Sequence, residues 1–246
     1  MRGIRVELGW VPGAIGRLPP TGTLGFVGHE APSVRCRAVT ISAVLFDFGG
    51  VVTSSPFESF ARFEAEAGLP ADFIRTLNAT NSDLNAWARF ERNELDVAGF
   101  CAAYEAEAEA AGHRIDALGV LGCLDGHIRP AVVEAVLRCR AQLRTGCITN
   151  NLATMHEGPG WSAIVDVDAM FDVMVESSKV GFRKPDQHIY ELACEALAVP
   201  PSEVVFVDDL GVNLKPARAM GMTTIKVVSE EQLLTDLEAA VGFPLR

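Results

Sequence analysis

Five short apolar runs recur along the chain, at residues 43–48, 146–149, 172–175, 204–207 and 223–228, each bounded by polar or turn-forming residues. Continuous apolar runs of this length, rather than alternating ones, fit strands buried on both faces. Helix-period segments separate the later runs. Pro130 opens one at its first turn, with Val132, Val133, Val136 and Leu137 on one face. Another covers 186–198, with Ile189, Leu192, Ala193, Ala196 and Leu197 as its buried stripe. Asn213 suits the N-cap of a third, which Gly221 ends. Ser229 and Gln232 form a capping box before a last helix whose apolar face is Leu233, Leu237 and Val241. Strands alternating with helices predict an α/β protein built on a doubly wound parallel sheet.

An interval of about 80 residues separates the first two runs, far beyond the roughly two to six usual for a strand-to-helix loop. It holds its own helical spacings: Phe57, Phe60 and Ala61, then Leu84, Trp87 and Ala88, then an alanine- and glutamate-rich stretch at 102–111 stopped by Gly112. Residues 53–129 are therefore expected to form an inserted helical cap, and 42–52 with 130–246 the α/β core. Leaving just after the first strand, the cap would cover the carboxyl ends of the strands and close them against water. Trp87, Arg89, Phe90 and Arg92 are within its reach of a substrate, but aromatics at helical spacing more often pack a core, and no role is assigned to them. Residues 1–41 differ: rich in glycine and proline, with five arginines against two glutamates and no sustained periodicity. A flexible lead-in is expected there, either lying against the acidic body or preceding a true start near Val39.

Composition narrows the function. With 246 residues, 49% apolar and 22% charged, the chain can bury a sizeable core in one domain plus a lobe. A formal charge of −11 opposes extended binding to nucleic acid or an anionic membrane, while leaving room for a small metal-bridged anion. No apolar stretch spans a bilayer and the amino terminus lacks a secretory core, so a cytoplasmic location is expected. The six cysteines never form a C-x-x-C pair, which argues for reduced, mostly buried thiols rather than zinc or disulfides.

Four strand ends carry polar residues. Asp47 closes the first run ahead of Phe48-Gly49-Gly50, Thr149-Asn150-Asn151 follows the second, Lys184-Pro185 comes after the third, and Asp208-Asp209 ends the fourth. Open parallel sheets place their chemistry at the carboxyl ends of strands, and glycines admit close backbone approach. Taken singly, Asp47 could cap a turn, Thr149 and Asn150 could form one, and Lys184 could be a solvated charge. Adjacent acids at a buried strand end are harder to explain without a cation, and Mg²⁺ prefers such oxygen ligands.

Together, in this order and spacing, the four motifs resemble the haloacid dehalogenase-like (HAD) hydrolase superfamily over residues 43–228, with a helical cap at the cap class I position. The resemblance implies a Rossmann-like core and a nucleophilic Asp47 that attacks phosphorus to give an aspartyl-phosphate. It further implies that the Thr149 hydroxyl and the Asn150 backbone amide hold phosphoryl oxygens, and that Lys184 offsets charge on Asp47 and the phosphoryl group. Mg²⁺ would be held by Asp209, Asp208, Asp47 and the Gly49 carbonyl, and the partner would be a small phosphorylated substrate. One position departs from the family's phosphatases. Where most have an Asp that protonates the leaving alcohol, this chain has Gly49, which removes help worth about 10² to 10⁴ in rate. The Asp-x-Gly-Gly-Val version resembles the HAD-like domains of soluble epoxide hydrolase-like and acyl-CoA dehydrogenase-like chains. A phosphatase is the expected function, with a 2-haloacid dehalogenase or a catalytically weak binding module as alternatives. Histidines add nothing: His188 is expected to be a solvated helix residue, and His156 is unassigned.

Overall fold

The computed structural model describes residues 40–152 and 166–246, all within one compact unit. Most of the lead-in, with His29 and Cys36, and the stretch containing His156 lie outside the described residues. All five apolar runs form strands: β1 Ala43–Phe46, β2 Arg144–Thr149, β3 Val173–Glu176, β4 Val204–Asp208 and β5 Thr223–Lys226. They make one parallel sheet in the order β3-β2-β1-β4-β5, so the first strand is central. Its residues divide strictly by pleat. Val44 and Phe46 pack with Val205 and Val207 under α6 (Pro130–Arg140) and α11 (Glu230–Val241). Ala43 and Leu45 pack with Val204 and Phe206 under α9 (Gln187–Leu197) and α10 (Gly211–Ala219). Helices on both faces bury every side chain of β1 completely, which is why this strand reads as an unbroken apolar run. Short helices α7 (Val167–Met170) and α8 (Ser177–Val180) flank β3.

Several local expectations are corrected. Phe48 lies past the end of β1, and Val228 lies past β5 and is exposed, because hydrogen-bonded pairing stops where the chain turns. Asn213 is not an N-cap. The helix starts three residues earlier, after Leu210, and Asn213 is buried in its first turn because a buried carboxylate, Asp208, takes its amide. In α9, Tyr190 and Cys194 are buried, whereas Ala196 is exposed and Leu192 only partly covered, so the stripe is rotated toward the sheet. On α6, Ala135 and Cys139 join Val132 and Val136 in the core while Leu137 is exposed. The Ser229 cap does form, but Gln232 reaches back to the Val228 amide instead of that of Ser229. Cys101, Cys123, Cys139, Cys147 and Cys194 are free thiols.

Between β1 and α6 the chain builds a lobe of five helices: α1 Phe57–Ala67, α2 Phe73–Ala79, α3 Ala86–Glu91, α4 Val97–Ala110 and α5 Ala117–Gly122. Its core is aromatic: Phe90 stacks on Phe100 at 4.5 Å, Phe100 on Tyr104 at 5.1 Å, and Trp87 meets Phe100 edge-on. Phe90 is thus a core residue, as its spacing suggested, while Ala61 and Leu84 are exposed. Buried polar groups close the helix ends. Glu64 accepts the Asp72 and Ile74 amides at the start of α2, and Asn85 caps α3 while donating to carbonyls of the preceding turn. The chain enters and leaves the lobe side by side, through a Thr53–Ile128 bridge, a Ser54-to-His127 bond of 2.8 Å and an Arg129-to-Val52 bond of 2.9 Å. No helix among the described residues is long and apolar enough to cross a membrane.

Candidate active site

The in-register pairing of β1 with β4 continues one residue beyond the sheet, with the Asp47 amide donating to Val207 at 2.9 Å. This sets Asp47 level with Asp208 at the carboxyl edge, where the order of the sheet reverses and ligand sites of open α/β sheets form. The turn 48–52 follows, closed by the Thr53 amide on the Phe48 carbonyl at 3.1 Å. Its two glycines are unequal. Gly50 has φ +76°, and a Cβ there would stand 2.2 Å from Asp209 Oδ2, so both backbone and space demand glycine. Gly49 has φ −68° and ψ 132°, ordinary for any residue, and a Cβ there would meet nothing within 4 Å.

Lys184 joins the two central carboxylates. Its Nζ lies 2.7 Å from Asp47 Oδ2 and 2.8 Å from Asp208 Oδ2, with the side chain 1% exposed. It is therefore not the solvated surface charge that a lone lysine suggests. Burial works against its ammonium, but the Asp208 and Asp47 charges outweigh it and hold the pKa above the usual range. Asp208 is fully buried, and both oxygens are taken: Oδ1 by the Leu210 amide at 2.7 Å, and each by the Asn213 amide at 3.1 Å. Tyr190 Oη in turn donates to the Asn213 carbonyl at 2.7 Å. Asn213 was missed as a site residue; its one signal in the sequence is a helix-interior Asn shortly after two acids, where asparagine is unfavourable unless its amide is used.

Asp47 accepts the Phe48 amide at 2.7 Å on its other oxygen. Its carboxyl is pushed well above the usual range, by burial first and then by Asp208 and Asp209, against the pull of Lys184. Burial, with the Asp208 charge, likewise pushes Asp209 up to about 6. Oxygens of Asp47, Asp208 and Asp209 lie within 4.8 Å of one another. Three carboxylates against one ammonium leave an excess of negative charge, and the donors are all hard oxygens. This donor set fits a divalent cation such as Mg²⁺, with Asp209 facing the cavity and Asp208 tied to its donors.

Thr149, at the end of β2, lines the cavity beside Asp47. The Asn150 side chain is committed elsewhere: Oδ1 accepts the Lys184 amide at 2.8 Å, and Nδ2 donates to the Lys184 carbonyl at 3.0 Å. Asn151 is held by Glu176, Ser177 and Ser178. His188 is exposed and bonded to Asp186, as expected of a helix-surface histidine.

Above these groups lies a cavity of about 850 Å³ between core and lobe. Asp47, Gly49, Thr149, Asn150, Lys184 and Asp209 lie at one end, and Phe57, Phe60, Trp87, Leu124 and Leu152 supply apolar wall. Arg75, over the Phe57 ring at 4.4 Å, and Glu91, paired with Arg183, bring charge from the lobe. Neither contribution is legible from helical spacing alone.

A family profile described as haloacid dehalogenase-like hydrolase matches residues 41–221, and the chain belongs to that family of hydrolases. It is similar to acyl-CoA dehydrogenase family member 10 of Mus musculus, 34% identical over 209 residues, covering 82% of this chain and 19% of the relative. The chain thus spans about a fifth of that relative. It also resembles a phosphatase of Mycobacterium tuberculosis, 30% identical over 196 residues, covering 75% of this chain and 86% of the relative. Among solved structures, a HAD family enzyme from Bacteroides thetaiotaomicron in complex with magnesium and inorganic phosphate shares the fold, with TM-score 0.55 and 17% identity over 77% of this chain and 96% of that one.

Proposed function

We propose that the protein is a Mg²⁺-dependent cytoplasmic phosphatase that cleaves a small phosphate monoester bearing an apolar organic group, through an aspartyl-phosphate on Asp47. The observation that carries this reading is the buried Lys184 bridging Asp47 and Asp208 at the floor of a cavity that also presents Thr149 and Asp209. Likeness to a phosphatase over most of that relative's length supports it. An Asp47 oxygen attacks phosphorus, the P–O bond to the organic group breaks, and the ester oxygen leaves with the bonding pair. Water then cleaves the acyl phosphate, releasing inorganic phosphate and restoring the carboxylate. Lys184 favours the ionised form of Asp47 against its burial and offsets charge on the phosphoryl oxygens, while the Thr149 hydroxyl and the Asn150 backbone amide hold those oxygens. Asp47, Asp209, Asp208 and the Gly49 carbonyl would hold Mg²⁺. When bound, the ion neutralises phosphoryl charge.

Among the described residues, the leaving oxygen finds no dedicated acid. Gly49 has no side chain, Glu91 is held by Arg183 and Trp87, and Glu176 by Asn151 and Lys179. Substrates whose organic group departs readily as an anion, such as aryl or enol phosphates, suit the site best. The apolar wall suits the same organic groups. In this reading the helical lobe is a cap that excludes water from the floor. Acid quenching during turnover of an aryl phosphate, followed by peptide mass analysis, tests it: one phosphoryl group is expected on Asp47, and a phosphoryl group on another residue would sink the proposal.

A further inference from the structure

We infer that Glu91 is a positioning residue through which the helical lobe sets the placement of Lys184; the inference rests on the phosphatase reading of the site. Glu91 is the last residue of α3 and is buried, although it belongs to the lobe and not to the sheet. Three bonds to two of its atoms cross to the core. Oε2 accepts from Arg183 Nε and, at 3.4 Å, from Asn150 Nδ2, and its carbonyl accepts the Ser177 hydroxyl at 2.7 Å. Trp87 Nε1, on the same helix, donates to Oε1 at 3.0 Å and fixes the carboxylate's direction. Arg183 also donates to the Ser82 carbonyl at 2.8 Å, so the lobe grips the residue next to Lys184 at two points.

The Asn150 amide is the link. Its two bonds to the peptide groups of Lys184 close a ring, and Nδ2 is shared between the Lys184 carbonyl and Glu91. Each atom in the path is committed: Glu91 orients Asn150, Asn150 pins the Lys184 backbone, and Lys184 spans the two aspartates. Burial raises the Glu91 pKa against the pull of Arg183, so the carboxylate depends on these donors to stay charged. A lobe displaced from the core would remove Glu91 from Asn150 and relax the Lys184 segment. The arrangement therefore makes the nucleophile's cation sensitive to the lobe's position.

Para-nitrophenyl phosphate hydrolysis in Mg²⁺, with wild type, Glu91→Gln, Asn150→Ala and the double variant, tests the coupling. Glu91→Gln is expected to lower kcat roughly tenfold with KM changed by less than about twofold, and the double variant should be no slower than Asn150→Ala alone. Glu94→Gln, an exposed member of ion pairs with Arg89 and Arg92, should leave turnover unchanged. The backbone amide resonance of Lys184 gives a second readout, independent of activity: it should move in Glu91→Gln and stay in Glu94→Gln. Effects that multiply in the double variant, a loss confined to KM, or an unmoved Lys184 resonance would overturn the inference. If the wild type turns over no phosphate ester, the phosphatase reading is what fails, and the resonance alone decides the role of Glu91. Glu91→Asp, which keeps the charge but shortens the reach, replaces the Gln variant if that one does not fold, with the same outcomes expected.

Discussion

The floor of the cavity and the lobe above it are stabilised by opposite means. At the floor, one buried ammonium holds two carboxylates, and both oxygens of Asp47 and of Asp208 have hydrogen-bond partners. In the lobe, stacked aromatic rings bury large area at the centre, with the directed polar bonds, such as those of Glu64, Asn85 and Tyr104, set around them. A charge network is fixed in geometry and fails abruptly when one member is removed. Aromatic packing loses energy in proportion to the area and volume removed. The floor is therefore suited to holding reacting atoms, and the lobe to shaping a wall and selecting an organic group.

The sharpest way to break this contrast is Lys184→Met. Removing the shared cation leaves Asp47 facing Asp208, and stability measured by denaturant without Mg²⁺ should fall by about 3–5 kcal/mol. Part of that loss should return at acid pH as the carboxylates take up protons; a flat pH response would show that charge is not what Lys184 supplies. Phe100→Ala, in the centre of the lobe, is expected to cost about 3 kcal/mol at every pH, with no acid rescue. A pH-dependent loss there would erase the distinction between the two regions.

Within the floor, the adjacent glycines offer a finer comparison. Gly50→Ala should destabilise by about 1–3 kcal/mol, since it strains a left-handed residue and crowds Asp209, whereas Gly49→Ala should change stability by less than about 0.5 kcal/mol. Equal melting points for the two variants would contradict the turn geometry. Gly49→Asp enters open space, and if the missing proton donor limits turnover it should speed alkyl phosphates by about tenfold or more while changing aryl phosphates little. The dependence of rate on leaving-group acidity checks this, and an unchanged slope would show that protonation is supplied from elsewhere.

The same division governs what the sequence discloses. Buried parallel strands end their apolar runs in polar residues at the working edge, so Asp47, Thr149 and Asp208-Asp209 stand out in the sequence, as does the alternation that defines the sheet; Lys184, which lies beyond β3 and α8, is marked only by its place in the order of motifs. Asn213 was legible as a helix-start residue but not as the donor to Asp208, because local capping and long-range pairing draw on the same side chain. The insertion was legible from its length and helical spacing. Which lobe residues face the cavity was not: Glu91, Arg75 and Trp87 are placed by the packing of separate helices, and helical period alone does not fix how one helix is turned against the core. Asn150 illustrates the same limit, since its neighbours place it at a strand end but only the fold brings it to the backbone of Lys184.

The most direct test of the central claim is hydrolysis of an aryl phosphate by the intact protein and by Asp47→Asn, each with Mg²⁺ and with EDTA. The account predicts turnover that requires Mg²⁺ and falls by at least about a thousandfold in the variant, as for loss of a covalent nucleophile. Turnover that persists in Asp47→Asn, or that is indifferent to EDTA, would contradict it.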